Sequence, residues 1–410
     1  MPAAGNMGPA LWCAAHRGRG SSNGPSVGVP TRWEPCEDLC GLPLDLTHNN
    51  YKGSQMRTAR GLTPAVSPLA LLALAATLFF SIGGVVPAQP KPATAVAEDQ
   101  RLLPYVKPGQ LVDIGGRRIN LHCTGTGSPT VILMSGSSSW SVVWYLTQPE
   151  IAKRARVCAF DRASFGFSDP APKPPTMSEA VSDLHAALKA ADIPGPYVLV
   201  GHSLGGVEAR LFAERWPQEV AGMVLVDTSP AAEFLIEVNL PGFDEAEGFE
   251  GFTTGMLRCA LLEAHGPLDP SNAEYAHCSL GPLPADTPAA LRKMWPSFFT
   301  TDYWIARFSQ LSSLWTHRYD SVDHLDLGDR PLVVLSADDS WGLTDGPAKT
   351  FWRNYRKQWF AQHEALAHLS SRGVHRVIDH TGHMIQLEKP QAVIDAVDEV
   401  LRQVRAGAQS

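Results

Sequence analysis

Short apolar runs alternate with amphipathic ones along most of this chain. Residues 130–134, 156–161, 197–200, 221–227, 331–335 and 374–378 are brief and rich in Val, Ile, Leu and Met, and read as buried strands. Between them, residues 177–192 place Ala180, Val181, Leu184, Ala187 and Leu188 on one helical face. Residues 207–213, 352–369 and 390–404 also read as helices. Ahead of this series, residues 110–114 and 118–123 flank Gly115-Gly116 and predict a hairpin. Strands alternating with helices imply an α/β protein with a mostly parallel central sheet covered by helices on both faces. Ligands of such sheets bind at the carboxyl ends of the strands.

Two stretches depart from the alternation. Residues 228–327 are rich in Pro, Gly and aromatics and read as an insertion between two parts of one core, residues 105–227 and 328–405. At the other end, residues 1–55 are rich in Gly, Pro, Ser and Asn without periodicity, which predicts a disordered leader or an over-extended start with Met56 as the true beginning. Residues 56–97 then open with Arg57 and Arg60, continue through an uncharged stretch whose core is 69–86, and reach small residues at 86–88 and 93–95. That order fits an export signal, and the apolar core is nearly long enough for an uncleaved N-terminal membrane anchor. Arginines on its N-terminal side predict an exported catalytic domain, secreted or membrane-anchored.

Composition changes this picture little. The 410 residues are 44% hydrophobic and 18% charged, with a formal net charge of -7, so the chain suits a large core and not a nucleic-acid partner. Cys36 and Cys40 lack a second Cys/His pair, and no metal or cofactor is expected. Cys123, Cys158, Cys259 and Cys278 fall in the body, and an exported domain permits disulfides Cys123–Cys158 and Cys259–Cys278.

The chemistry centres on Gly201-His202-Ser203-Leu204-Gly205, directly after an apolar strand and before a helix. G-x-S-x-G is the pattern of a sharp strand-to-helix turn that leaves its serine exposed, with Gly201 and Gly205 allowing close backbone approach. A serine hydroxyl needs a base oriented by a third group. His383, in Thr381-Gly382-His383 after the last strand, fits the base, with His380 as fallback. Asp339 is the first choice for the acid, Asp338 the second, and Asp227, after the preceding strand, the third. For the oxyanion of an acyl-transfer intermediate, the backbone N–H of Leu204 and that of Ser137, in the loop Ser135-Gly136-Ser137-Ser138-Ser139-Trp140, are the candidate donors.

The body, roughly residues 105–405, resembles the serine-dependent α/β-hydrolase superfamily, and most of all its exported or membrane-anchored bacterial members. The resemblance rests on 121–125, on Phe160-Asp161-Arg162-Ala163-Ser164-Phe165-Gly166-Phe167-Ser168-Asp169, on the 201–205 elbow, on Leu225-Val226-Asp227, and on Gly382-His383 before Gln386-Leu387-Glu388-Lys389-Pro390. It implies the α/β-hydrolase fold, Ser203 as nucleophile, His383 as base, an acid from the loop after 331–335, and a cap formed by 228–327. Two departures stand out: Ser135-Gly136 replaces the usual His-Gly, and Ala337 replaces the usual Gly before the acid's loop.

The insertion carries Phe234, Phe243, Phe249, Phe252, Trp295, Phe298, Phe299, Tyr303, Trp304, Phe308 and Trp315 and no arginine cluster. These residues predict cap–core packing together with an apolar pocket. The expected activity is hydrolysis of an uncharged, hydrophobic carboxylic ester, a small-molecule substrate, through an acyl-Ser203 intermediate. Peptidase, amidase or cofactor-free haloperoxidase activity on the same fold, or a non-catalytic ligand-binding role, are the alternatives.

Overall fold

The structure is a computed structural model that describes residues 97–230, 240, 249–266, 278, 283–316, 319–338 and 349–407. Residues 1–96, with the leader and the apolar segment, lie outside that set, as do Phe234, Phe243 and Asp339. Among the described residues, no helix is long and apolar enough to cross a membrane.

Eight strands form one sheet: β1 (Gln110–Asp113), β2 (Arg118–Thr124), β3 (Thr130–Met134), β4 (Val157–Phe160), β5 (Tyr197–His202), β6 (Val220–Val226), β7 (Leu332–Ala337) and β8 (Gly373–Ile378). Their order is β1-β2-β4-β3-β5-β6-β7-β8, and every pairing from β4 to β8 is parallel. The hairpin expected at the start pairs Gln110 with Leu121 and Asp113 with Arg118, antiparallel. At its turn Gly115 and Gly116 both take positive φ, and their N–H groups donate to Asp113 Oδ1.

The central strands are apolar throughout because both faces are covered. Along β3, Ile132 and Met134 join one apolar layer while Val131 and Leu133 join the other. Along β6, Met223 and Leu225 share the first layer, and Val224 and Val226 the second. Helices α1 (Met177–Ala190) and α2 (Leu204–Arg215) feed the first layer through Leu184, Leu188, Val207 and Leu211. The last helix, α6 (Pro390–Gly407), feeds the second through Val393, Val397 and Val400. α1 starts where its sequence says it should. Thr176 accepts from Glu179 N, and Glu179 returns a carboxylate to Thr176 N, a capping box worth about 1 kcal/mol.

Between β6 and β7 the described secondary structure is helical. α3 (Phe249–Ala264) packs on α4 (Thr301–Thr316), which in turn meets α1, where Met177 N donates to Ser313 Oγ. α5 (Lys349–Ala367) follows β7 and packs on it. Two disulfides join Cys123 to Cys158, facing each other across β2 and β4, and Cys259 of α3 to Cys278.

Candidate active site

Ser203 stands between β5 and α2 with φ 53 and ψ -125, in the left-handed region that a non-glycine residue enters only under constraint. The constraint is legible in the two glycines. A Cβ on Gly201 would lie 2.4 Å from the Gly205 carbonyl oxygen, and one on Gly205 would lie 2.2 Å from the Met134 carbonyl oxygen. Strand, turn and helix therefore close on each other only with glycine at both positions. The segment after β6 braces the turn: Ser203 N donates to Val226 O, and Ser203 O accepts from Ser229 N and Thr228 Oγ1. The serine side chain stays half-exposed at the carboxyl edge of the sheet.

His383 follows β8 and reaches back over this edge. Its Nδ1–H donates to Asp227 Oδ2 at 2.7 Å, which leaves Nε2 on the opposite edge of the ring. Its backbone oxygen accepts from His202 Nε2–H at 2.9 Å, and the two imidazole rings lie 4.6 Å apart, which fixes His383 beside the elbow. Glu388 secures the same loop by accepting from Gly382 N at 2.7 Å. His380 is exposed on the turn after β8 and is not part of this cluster.

Of the three candidate acids, the structure brings one to His383. Asp339, the first choice, lies outside the described residues. Asp338 is turned onto the turn after β8, where the backbone N–H of His380 and then that of Thr381 hold its carboxyl below the usual range. Asp227, the third choice, is the residue hydrogen-bonded to His383, and it is fully buried. Topology explains the difference: Asp227 ends β6, the immediate neighbour of the elbow strand β5. Its φ of 41 swings the carboxylate over β7, where Oδ1 accepts from Ala337 N at 3.1 Å and from Trp359 Nε1 at 2.9 Å.

The loop after β3 passes directly over the serine. A Cβ on Gly136 would sit 3.2 Å from Ser203 Cβ, so a side chain there would press on the nucleophile. Ser137, the candidate donor, is half-buried on the same loop, and Leu204 N opens α2, whose first N–H groups have no intrahelical acceptor. What holds the loop is Arg162, a residue the motif reading quoted without a role. Its guanidinium, 2% exposed, donates to the carbonyls of Ser135, Gly136 (3.1 Å) and Ser139 (3.4 Å). Its other two N–H bonds go to both oxygens of Glu208 on α2, each at 2.7 Å. All five guanidinium donors are used. Burial pushes the Glu208 carboxyl up and the adjacent Arg162 opposes that. Asp161 completes the stitching by accepting from Ser141 N and Phe167 N.

Four described aromatics of the inserted region gather on that loop. Trp295 and Phe298 lie 5.1 and 4.9 Å from the Trp140 ring, with Phe299 and Tyr303 just beyond. Tyr303 Oη donates to Ser138 O at 2.9 Å, so α4 is tied to the loop itself. Next to it opens a cavity of 420 Å³. Its described lining includes Ser138, Ser139, Tyr145, Thr287, Trp295 and Met384, the residue after His383, and no charged side chain. Among the described residues no His/Cys/Asp/Glu group is arranged to hold a metal.

A family model for the alpha/beta hydrolase fold matches residues 129–390, more than half of the chain, and the chain belongs to that family. The individual relatives are distant. The chain is 32% identical over 154 residues to a 2-hydroxy-6-oxo-2,4-heptadienoate hydrolase of Pseudomonas putida, covering 37% of this chain and 54% of that one. It is 25% identical over 150 residues to the protein YbdG of Bacillus subtilis, covering 36% and 46%. The chain thus spans about half the length of these curated relatives. Among solved structures, one from Acinetobacter baumannii AYE described as a candidate lipase superposes with a TM-score of 0.54 at 17% identity, covering 75% of this chain and 95% of that one. That likeness concerns the fold alone.

Two buried histidines of this region bear on acid stability. Burial and the neighbouring His383 push His202 down to about 3, with Arg162 adding to the effect and Asp227 opposing it. Burial pushes His363 of α5 down to about 4, with His375 and Arg210 adding and Asp227 again opposing. Both are neutral when folded, whereas an unfolded histidine takes up its proton near pH 6.5. Stability from this source is therefore complete above pH 6.5 and lost as pH falls toward 4, by about 1.4 kcal/mol per pH unit per histidine at most. Urea midpoints at pH 7 and pH 5 measure the effect, and equal midpoints contradict it.

Proposed function

We propose that this protein is a serine hydrolase that cleaves an uncharged, hydrophobic carboxylic ester through an acyl-enzyme on Ser203. The observation that carries this reading is the Asp227–His383 hydrogen bond of 2.7 Å, set beside a serine held at φ 53. In this reading Ser203 Oγ attacks the ester carbonyl while His383 Nε2 takes the hydroxyl proton. The N–H groups of Leu204 and Ser137 receive the oxyanion. Collapse breaks the carbon–oxygen bond to the alcohol, which leaves with the proton from His383. Water then attacks the acyl group, His383 takes its proton and returns it to Ser203, and the carboxylic acid departs. Asp227 keeps the Nδ1–H tautomer and offsets the imidazolium charge.

The substrate class rests on the uncharged cavity beside the 135–140 loop. Leu283, Pro284, Thr287, Leu291 and Trp295 of the inserted region line it as a cap would. The same reading places the catalytic domain outside the cytoplasm, anchored or released through residues 56–97, and the two disulfides support an oxidising compartment. A fluorophosphonate probe tests the chemistry: wild-type protein is expected to be labelled on Ser203, and Ser203→Ala to be unlabelled. Folded wild-type protein that resists the probe and turns over no p-nitrophenyl ester overturns the reading.

A further inference from the structure

Helix α5 runs behind the candidate acid, and the sequence offered no role for it beyond packing. Two of its residues one turn apart share the face toward the site, with Trp359 and His363 rings 5.1 Å from each other. Trp359 Nε1–H donates to Asp227 Oδ1 at 2.9 Å. His363 Nε2 lies 2.7 Å from Thr228 O, the carbonyl of the very next residue. Thr228 also donates its hydroxyl to Ser203 O at 3.1 Å. One backbone carbonyl thus sits between the acid and the nucleophile's turn, and α5 grips both sides of it.

The direction of the bonds behind His363 follows from that carbonyl. A carbonyl only accepts, so His363 Nε2 carries a proton. His363 is fully buried, and burial disfavours a second proton, so Nδ1 is a bare acceptor. Ser336 Oγ, 2.5 Å from it, must spend its one proton there. The oxygen of Ser336 then accepts from His375 Nε2–H at 2.7 Å. His375 Nδ1 faces Glu364 Oε2 at 2.8 Å, and a carboxylate again only accepts. The result is a one-way chain of donors from His375 through Ser336 and His363 to the Thr228 carbonyl, with exposed Glu364 holding the other side of the His375 ring.

Resting on the serine-hydrolase reading, we infer that His363 is a positioning residue for Asp227, kept in its Nε2–H form by Ser336 and His375. Asp227 holds a left-handed backbone conformation, φ 41, and such a residue persists only where its surroundings over-determine it. Trp359 fixes its carboxylate, and His363 fixes the peptide that follows. Loss of the second point lets the Asp227–Thr228 peptide rotate, which loosens His383 and the elbow together. The described lining of the cavity beside the 135–140 loop includes no α5 residue, so the effect is expected on kcat and not on KM.

The test compares His363→Leu, His363→Gln and Ser336→Ala with wild type in the full chain. His363→Leu is expected to lower kcat by about 10- to 100-fold with KM within about twofold, as small misplacements of catalytic groups do. His363→Gln, whose amide N–H can again donate to Thr228 O, is expected to restore most of the loss. Long-range proton–nitrogen spectra of the histidine rings supply a readout independent of turnover. They should show a neutral His363 protonated on Nε2 in the wild type and a mixture of His363 tautomers in Ser336→Ala. Wild-type kcat in folded His363→Leu overturns the inference, as does failure of His363→Gln to exceed it, or an Nδ1-protonated His363 in the wild type. If His363→Leu does not fold, Ser336→Ala and the spectra decide. Absent Ser203 labelling in the wild type strikes the hydrolase reading, whereas these outcomes in a labelled enzyme strike only the role of His363.

Discussion

Asp227→Asn is expected to lower kcat by about four orders of magnitude while the chain stays folded. The reason is the tautomer of His383. Asp227 Oδ1 is committed to Ala337 N and Trp359 Nε1, so an asparagine there keeps its single oxygen on those two donors. Its amide N–H groups then point at His383 Nδ1, where the carboxylate oxygen stood at 2.7 Å. Two donors cannot face each other, and His383 responds by moving its proton to Nε2. The nitrogen that should take the Ser203 proton is then already occupied, and the serine remains a weak nucleophile. Steady-state hydrolysis of a p-nitrophenyl ester at pH 7, with the rate of fluorophosphonate labelling alongside, measures the loss. Asp338→Asn provides the contrast. Its carboxylate serves a backbone N–H of the turn at Thr381, and its kcat is expected to stay within about threefold, in line with a surface substitution away from the reacting groups. The opposite ranking would return the acid to the loop after β7.

This contrast marks where the sequence was readable. The central strands of the sheet were visible because a strand covered on both faces has to be apolar throughout, and the runs at Thr130–Met134 and Leu332–Ala337 are. The elbow was visible because its steric demand falls on neighbouring residues, Gly201 and Gly205. The acid was harder because strand order is not written in chain order. A carboxylate after β6 and one after β7 look equivalent until the sheet shows β6 beside β5. The helices between β6 and β7 were hidden for another reason. α3 contains Gly251, Thr253, Thr254 and Gly255, poor helix formers that need its packing on α4 and the Cys259–Cys278 link. Arg162 and Glu208 are 46 positions apart, and nothing local announces that they meet.

Arg162→Lys is expected to lower kcat by about 100-fold or more, the cost of disabling an oxyanion donor. In a trans peptide the C=O and N–H point in opposite directions. With the carbonyls of Ser135 and Gly136 turned onto Arg162, the N–H groups of Gly136 and Ser137 are turned away from it. A Cβ on Gly136 would meet His202 Nδ1 at 2.9 Å and Ser203 Cβ at 3.2 Å, so the loop that carries these donors lies close over the elbow. A lysine keeps the positive charge opposite Glu208 but brings three donors in place of five, and it lacks the planar fork that binds a carboxylate and three carbonyls at once. The loop peptides are then free to turn, and a carbonyl facing the oxyanion would repel it. Glu208→Gln separates this effect from stability. It leaves the three loop bonds of Arg162 in place but strands a buried cation, a change that costs about 3 to 5 kcal/mol of folding free energy when a buried pair loses a partner. Glu208→Gln should therefore lower Tm more than kcat, and Arg162→Lys lower kcat more than Tm. Thermal unfolding and ester hydrolysis on the same preparations measure both. A kcat for Arg162→Lys within about threefold of wild type, against the 100-fold expected of a lost donor, would show that the loop holds its shape without the guanidinium.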